Sequence, residues 1–308
     1  MEPIFEEIEK GNLDVVKQWL KGGQDADYVD KRKRTLLMHA AMGGHASIVK
    51  MLLEKGASMS VADQYGYIPP YFAGGDLETV RLFIDRGVSV TSDISGCKEK
   101  ETFLLHASFS NSPELITYLL DLGSDVNAIS MHGNTPLMRA AYAGHTECCH
   151  ILLDAGADIM ARTDSDNALS NAARQGHEET ALLLIDRGAE CIVEAFFGAI
   201  DRNLVSVMDR MLKTVPDLAM ARGHLETTPL IVAVETGSIP MIKRLLKAGV
   251  NIDDQDDEGW SALMHATYRD DKEIIAFLRE AGANEKLKDS KGMAAADLSD
   301  DFYDYDAD

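Results

Sequence analysis

The chain has 308 residues, of which 45% are apolar, and its 51 acidic and 30 basic residues give a formal net charge of −21. Such an acidic chain disfavours unspecific binding to nucleic acid or anionic membranes and predicts a partner with a basic surface. Four cysteines at this length do not form a disulfide framework, which predicts a reducing compartment. No apolar run approaches the roughly 18 residues that span a membrane, and the acidic start does not resemble a signal peptide. We therefore expect a soluble, cytoplasmic protein.

Two series of glycines recur along the chain with a common period. The first series separates two short predicted helices, and Asn or Asp replaces Gly at three positions: Gly11, Gly44, Gly75, Asn111, Gly144, Gly176, Asn203, Gly237 and Asp270. The second series follows twelve residues later and is missing only at Val215: Gly23, Gly56, Gly87, Gly123, Gly156, Gly188, Gly249 and Gly282. Because helices of about two turns are unstable alone, the pattern predicts about nine stacked helix pairs.

The first repeat spans roughly residues 2–30, and its first helix is polar at positions that are alanine in the central repeats. We expect this repeat to act as an N-terminal cap with one face in water. A basic run, residues 31–34, follows at the turn that joins repeats 1 and 2. The run is either a solvated turn or a nuclear import signal, and both interpretations stay open.

The third and fourth repeats are irregular. The pair Pro69 and Pro70 cannot lie inside a regular helix, so we expect the first helix of repeat 3 to be reduced to a turn. Repeat 4 brings three extra residues around residues 96–100. Insertions in stacked repeats map to one face, often the binding face, although structural drift without a functional role is the simpler explanation.

The fifth repeat, residues 133–161, is the most regular. Thr135 is placed to cap a helix with its hydroxyl, Pro136 sits at the first helical position, and Gly156 ends the second helix in the left-handed conformation. The stretches TPLMRAAYAGH and ILLDAGAD resemble the ankyrin repeat. The resemblance covers nearly the whole chain. It implies an all-α ankyrin-type solenoid over residues 1–298, which leaves no room for a separate catalytic domain.

The remaining repeats keep the pattern to different degrees. Repeat 6 keeps its shape without the proline, and repeats 8 and 9 restore the pattern. Repeat 7, residues 194–220, lacks both glycines, and we interpret it as a divergent repeat. Residues 292–298 form a half repeat that we expect to cap the stack. Residues 299–308 contain five aspartates and are predicted to be a disordered acidic tail.

Two local patterns could indicate metal binding. His145, Cys148, Cys149 and His150 form an H-x-x-C-C-H cluster, but the two cysteines align with core positions of other repeats. Residues 254–259 resemble the start of a calcium loop, but they fall where each repeat has its turn. No phosphate loop, nucleophile elbow or dinucleotide fingerprint occurs. We therefore predict no catalytic residue, no cofactor and no metal, and keep an enzyme or metal-dependent module as a second class of function.

The resemblance implies a concave binding surface made of turn tips and exposed positions of the first helices. The helix positions are Met42, Ala73, Phe109, Tyr142, Arg174, Asp201, Glu235 and Tyr268. The predicted partner-binding residues are Phe109, Met131, His132, Asn134, Tyr142, Asp164, Asp166, Arg174, Glu235, Asp257, Glu258, Trp260 and Tyr268. Aromatic anchors divide them into two clusters, one around Phe109 and Tyr142 and one around Trp260 and Tyr268.

These observations predict a protein–protein interaction module, monomeric on its own, that binds and inhibits or sequesters a basic protein. We expect no binding to nucleic acid or membranes. Two more specific alternatives stay open. One is an immunity or antitoxin-type inhibitor of an enzyme toxin, and the other is a secreted or nuclear ankyrin effector.

Overall fold

The computed structural model describes residues 3–97 and 99–298. Packing divides the chain into two units, Met1–Thr163 and Asp164–Asp308. Over the described residues the chain forms seventeen α-helices and four 3-10 helices, and its only β-type pairings are two isolated antiparallel bridges, Val29 with Thr35 and Gln255 with Ser261. The predicted all-α fold class is confirmed. The predicted acidic tail lies outside the described residues.

The first unit consists of short helices arranged in consecutive pairs. Its helices are α1 (Pro3–Glu9), α2 (Leu13–Lys21), α3 (Leu36–Met42), α4 (Ala46–Glu54), a 3-10 helix (Pro69–Ala73), α5 (Leu77–Asp85), α6 (Phe103–Phe109), α7 (Pro113–Asp121), α8 (Pro136–Tyr142) and α9 (Thr146–Asp154). Each first helix packs on its own second helix, and first helices of neighbouring repeats pack together in the pairs α1 with α3, α3 with the 3-10 helix, and α6 with α8. This arrangement buries small and aliphatic side chains between the layers.

The second unit repeats the arrangement. Its helices are α10 (Ala168–Gln175), α11 (Glu178–Asp186), α12 (Val193–Asp201), α13 (Val205–Thr214), two 3-10 helices (Pro216–Met220 and His224–Glu226), α14 (Pro229–Glu235), α15 (Ile239–Lys247), α16 (Ala262–Tyr268), α17 (Lys272–Glu280) and a last 3-10 helix (Ala295–Leu298). Across the described residues of both units, no helix combines the length and the apolar character needed to cross a membrane.

A hydroxyl or amide side chain starts most of the first helices. Thr135 Oγ1 accepts a hydrogen bond from the backbone N–H of Met138 at 3.2 Å, and Pro136 occupies the first helical position, as predicted. The equivalent caps are Thr35, Thr102, Asn167, Thr228 and Ser261. Because a cap satisfies an N–H group that has no partner in the helix, it fixes the residue at which each first helix begins.

All residues of the two glycine series except Gly75 have a positive φ, in the region that favours glycine. Gly156 ends α9 with a φ of 89°, which confirms the prediction for that residue. In the first series Asn111, Asn203 and Asp270 take φ values of 54°, 55° and 52° at positions where other repeats have glycine. Asn and Asp tolerate this region better than other residues with a Cβ, so the turn between the paired helices is kept.

Several of the turns that precede a first helix form a finger that a side chain closes. Asp30 Oδ1 accepts hydrogen bonds from the backbone N–H groups of Arg32 and Arg34 at 2.7 and 2.8 Å. Asp63, Asp256 and Asp289 close their fingers in the same way. Backbone hydrogen bonds join neighbouring fingers, as from Gln64 N–H to the Arg32 carbonyl at 3.0 Å. The basic run of residues 31–34 therefore belongs to an ordered finger.

The two irregular repeats behave differently. In repeat 3 the α-helix is lost as predicted, but Pro69–Ala73 forms a 3-10 helix rather than a plain turn. This tighter winding leaves Ala73 only 2% exposed, although its position in the repeat predicts an exposed residue. Repeat 7 keeps both helices, α12 and α13, despite lacking both glycines. The division of the chain into nine repeats, a half repeat and caps stays a prediction.

Candidate functional site

The first candidate surface, which we call the central patch, consists of Phe109, Met131, His132 and Tyr142. Phe109 is the last residue of α6 and Tyr142 the last residue of α8, and these two helices pack against each other. His145 Nε2 lies 3.0 Å from the Phe109 carbonyl oxygen. Because a carbonyl only accepts, Nε2 donates this bond, which holds the end of α6 beside the turn that follows Tyr142.

The side chains of the central patch are open to solvent. Phe109, Met131 and Tyr142 are 53%, 55% and 46% exposed, and His132 is exposed as well. Met131 and His132 lie at the tip of a finger whose Ser130 Oγ accepts the Asn134 N–H at 3.2 Å. The Met131 N–H donates to the Glu99 carbonyl of the preceding loop at 2.9 Å. The patch therefore presents apolar side chains on a backbone held by hydrogen bonds.

A buried polar cluster lies one helical turn below the patch. Glu101, only 6% exposed, forms an ion pair with Arg139 on α8, and its second carboxylate oxygen lies 3.7 Å from His106 Nε2 on α6. His106 and Arg139 each precede a patch aromatic by three residues, so each lies on the same helix face as that aromatic. The cluster joins α6, α8 and the preceding loop, and so fixes the two patch aromatics relative to each other.

His106 is neutral in this cluster at neutral pH. Burial, together with the positive charge of Arg139, lowers the pKa of His106 to about 4. The nearby Glu101 carboxylate does not reverse this, because Arg139 already neutralises it. The Tyr71 ring packs edge-on against the imidazole with ring centroids 4.7 Å apart, and burial raises the pKa of Tyr71, so this side chain also stays neutral at neutral pH. The charges of Arg139 and Glu101 offset each other, so the cluster adds no net charge beneath the apolar side chains of the patch.

The second candidate surface, which we call the second patch, consists of Trp260 and Tyr268 in the second unit. Tyr268 ends α16 and is 51% exposed. Trp260 is only half-buried rather than fully exposed, because its ring packs edge-on against Tyr268 and His265 with centroids 5.3 and 5.2 Å away. His265 lies between two carboxylates, Asp256 at 2.9 Å and Glu235 at 3.4 Å. This surface is more acidic than the central patch.

The polar residues predicted to bind a partner have different environments. Asp164, Asp257 and Glu258 are exposed. Asp166 is half-buried, since it pairs with Arg174 Nη1 at 2.8 Å and accepts a hydrogen bond from Ser170 Oγ at 3.1 Å. Three further predicted residues complete the set: Asn134 is half-buried, whereas Arg174 and Glu235 are exposed. All the predicted residues reach the surface, but their role in binding stays a prediction.

Sequence reasoning missed one apolar residue beside the central patch. Ile129 is 55% exposed and lies two residues before Met131 in the same finger. The sequence feature that could have indicated it is the alternation of apolar, polar and apolar residues from Ile129 through Ser130 to Met131. In an extended segment, residues two positions apart lie on the same face, so the two large side chains are close together. We include Ile129 as a neighbour of the patch.

The two cysteines of the histidine–cysteine cluster belong to the structural core, whereas His145 is half-buried and His150 is exposed. Cys148 and Cys149 are fully buried, which confirms that they occupy core positions. Burial raises the pKa of Cys148 to about 11 and of Cys149 to about 12, so both thiols keep their protons at neutral pH. His145 uses Nε2 to hold the Phe109 carbonyl. The residues described by the structure contain no cluster of three or more His, Cys, Asp or Glu side chains suited to a metal ion.

The residues that resemble a calcium loop also have structural partners. Asp256 Oδ1 accepts the backbone N–H groups of Glu258 and Trp260 at 3.1 and 2.8 Å. Asp254 pairs with Arg222 at 3.0 Å. These carboxylates therefore stabilise the turn before α16, and the resemblance to a calcium loop is explained by this structural role.

A comparison with protein families matches the chain along most of its length. The family profile described as "Ankyrin repeats (3 copies)" matches residues 4–94, 72–163, 104–195 and 197–289. The chain belongs to the ankyrin-repeat family. Ankyrin repeats are protein–protein interaction modules, so this chain is one as well. The predicted family membership is confirmed.

Curated relatives of this ankyrin-repeat chain are larger proteins. It is 42% identical over 72 residues to "Ankyrin repeat and SAM domain-containing protein 6" of Mus musculus, which covers 23% of this chain and 8% of that protein. It is 33% identical over 146 residues to "Ankyrin repeat, SAM and basic leucine zipper domain-containing protein 1" of Ovis aries, which covers 45% of this chain and 29% of that protein. The chain therefore matches less than a third of the length of either relative.

Proposed function

We propose that this ankyrin-repeat chain binds a protein with a basic surface through the central patch and thereby inhibits or sequesters it. The observation that carries the proposal is the exposure of Phe109, Met131 and Tyr142 in two repeats whose first helices pack together. Large apolar side chains on a rigid backbone are the usual anchors of protein interfaces. The part of the partner's surface that is buried against the central patch would no longer be accessible to other molecules.

The charge of the chain supports a basic partner. The net charge is −21, from 51 acidic and 30 basic residues. Opposite charges steer association and raise its rate. The association rate should therefore fall steeply as salt rises above about 0.15 M, where charges are screened within about 8 Å. Stopped-flow measurement of this rate against salt tests the idea, and a rate that does not depend on salt would contradict a basic partner.

Affinity capture from the native cell tests the proposal directly. The tagged wild-type chain is compared with the double variant Phe109→Ala with Tyr142→Ala and with a control, Leu122→Ala with Met220→Ala, that removes two exposed apolar side chains elsewhere. We expect wild type and control to capture the same basic protein and the patch variant to lose it. Capture of that protein by all three chains would contradict the proposal.

We also propose that binding takes place in the cytoplasm. The four cysteines of the chain are all unpaired, and three of them are buried. Free thiols suit a reducing compartment. Imaging a fluorescently tagged chain tests this location, and accumulation in the nucleus would instead support the import interpretation of residues 31–34.

A further inference from the structure

A groove of about 310 Å³ lies between α2 and α4, the second helices of the first two repeats. Leu13 and Leu20 on α2 and Met51 on α4 line it, and all three are half-buried. None of the residues predicted to bind the basic partner lines this groove. It is therefore a separate surface, formed by second helices rather than by fingers and first helices.

Lysines surround this apolar floor. Lys17 and Lys21 on α2, and Lys50 and Lys55 at α4, line the groove and are exposed. Within residues 3–97 and 99–298, none of the four makes an ion pair with a carboxylate. Glu54 is the one acidic residue that lines the groove. Four positive charges thus lie around an apolar floor with little neutralisation from the chain itself.

The charge of this region is opposite to that of the whole chain. Residues 10–55 contain nine basic and five acidic residues, a net charge of +4, within a chain of net charge −21. Some basic residues on other second helices have acidic partners, as Arg210 with Asp186 and Arg244 with Asp209. The field near the groove therefore attracts anionic groups, whereas the rest of the chain repels them.

We propose that this lysine groove docks an acidic amphipathic helix of a partner protein. Two neighbouring helices form a trough, and a third helix seated in it presents apolar residues at positions i, i+3 or i+4 and i+7 to the floor. Helices α2 and α4 have nine residues each, so the trough is about 13 Å long and takes about nine residues of a docked helix. Glutamates flanking the apolar stripe pair with the lysines, whose methylene stems cover its edges.

A labelled helical peptide tests the inference on the full chain. The probe contains two Leu-Glu-Glu-Leu-Leu-Glu-Glu heptads, and its binding is measured by fluorescence anisotropy. We expect saturable binding that weakens about tenfold or more in the double variant Lys17→Glu with Lys50→Glu. The double variant Lys213→Glu with Lys247→Glu changes net charge equally on exposed second-helix positions of the second unit and should bind as the wild type does.

Further variants separate the apolar and the charged contributions. Met51→Gln should weaken peptide binding although all four lysines remain, and a peptide with Ser in place of Leu should bind poorly. An unchanged melting curve shows that a variant is folded. If the double variant Lys17→Glu with Lys50→Glu does not fold, the milder double variant Lys17→Gln with Lys50→Gln is used in its place. Equal peptide binding by wild-type and lysine variants would overturn the inference. If the chain bound phosphatidylserine vesicles through these lysines but did not bind the peptide, the inference would be wrong, and the groove would instead bind an anionic lipid surface.

Discussion

The central patch and the second patch occupy equivalent positions in different repeats. Tyr142 and Tyr268 each end a first helix, and the preceding first helix ends at Phe109 in one case and at Glu235 in the other. The residues at the tips of the two fingers also differ in charge. Met131 and His132 stand in the first finger, and Asp257 and Glu258 stand in the second. The same backbone thus presents an apolar surface in one unit and an acidic surface in the other.

The residues beneath the two patches differ in charge as well. Arg139 and His265 are equivalent, being the fourth residue of their helices. Arg139 pairs with the buried Glu101, whereas His265 lies between Asp256 and Glu235 and supports the Trp260 ring. The repeat therefore fixes where these side chains lie, and the neighbouring repeats determine how exposed and how charged they are.

The largest effect is expected from a charge placed between the layers at equivalent positions of the two regions. Ala140 and Ala266 are fully buried in α8 and α16. Ala140→Glu and Ala266→Glu should each lower the free energy of unfolding by about 4 kcal/mol or more, because a carboxylate is buried without a partner. Urea unfolding followed by circular dichroism measures the loss. If either variant were as stable as the wild type, the alanine at that position would not be buried between the layers, and the two regions would not be packed alike.

A matched control shows that burial, and not the added charge, causes the loss. Ala155 follows α9 and is exposed. Ala155→Glu should change the free energy of unfolding by no more than about 0.5 kcal/mol, as is usual for exposed positions.

The half-buried His106 beneath the central patch should make stability depend on pH. The pKa of His106 is about 4 in the folded chain, whereas an unfolded histidine has a pKa of about 6.5. The unfolded state therefore takes up the proton first as pH falls. The free energy of unfolding should drop by about 3 kcal/mol as pH falls from about 6.5 to about 4, and this contribution is complete above pH 6.5.

The variant His106→Gln isolates this effect from the carboxylates that titrate in the same range. Urea unfolding at several pH values should show that the variant loses less stability than the wild type on acidification. Parallel curves for the two proteins would show that His106 is not buried in its neutral form, and the description of the cluster beneath the patch would then be wrong.

The smallest effect is expected at the turn after the first helix, which the two regions share. Gly237 has a φ of 73° and open space where a Cβ would be. Gly237→Ala should cost about 1 kcal/mol, because alanine is strained in the left-handed region. Gly237→Asn should cost less, since Asn111 and Asn203 adopt this conformation in other repeats. Thermal melting of the two variants checks the order, and an equal loss would contradict it.

Much of the fold could be predicted because its signals are local. The cap at Thr135 and the left-handed turn at Gly156 depend on the chemistry of one or two residues. The core positions of Cys148 and Cys149 followed from the spacing within one repeat. Such features repeat with the period of the chain, so one regular repeat predicts the others.

The details of the candidate surfaces were less predictable because they depend on contacts between repeats. The ion pair of Glu101 with Arg139 joins residues 38 positions apart, and no local pattern indicates it. The half-burial of Trp260 results from two rings that stand on the next helix. Ala73 is buried because Pro69–Ala73 winds as a 3-10 helix, which changes the direction of every side chain in it.

We propose that the partner binds the central patch rather than the more acidic second patch. The most direct test measures the dissociation constant of the captured partner for two variants. Phe109→Ala with Tyr142→Ala should weaken binding roughly thirtyfold or more, which corresponds to about 2 kcal/mol, with an unchanged melting curve. Trp260→Ala with Tyr268→Ala should change it less than about threefold. A large loss in the second variant and none in the first would contradict the account and place the interface on the second patch.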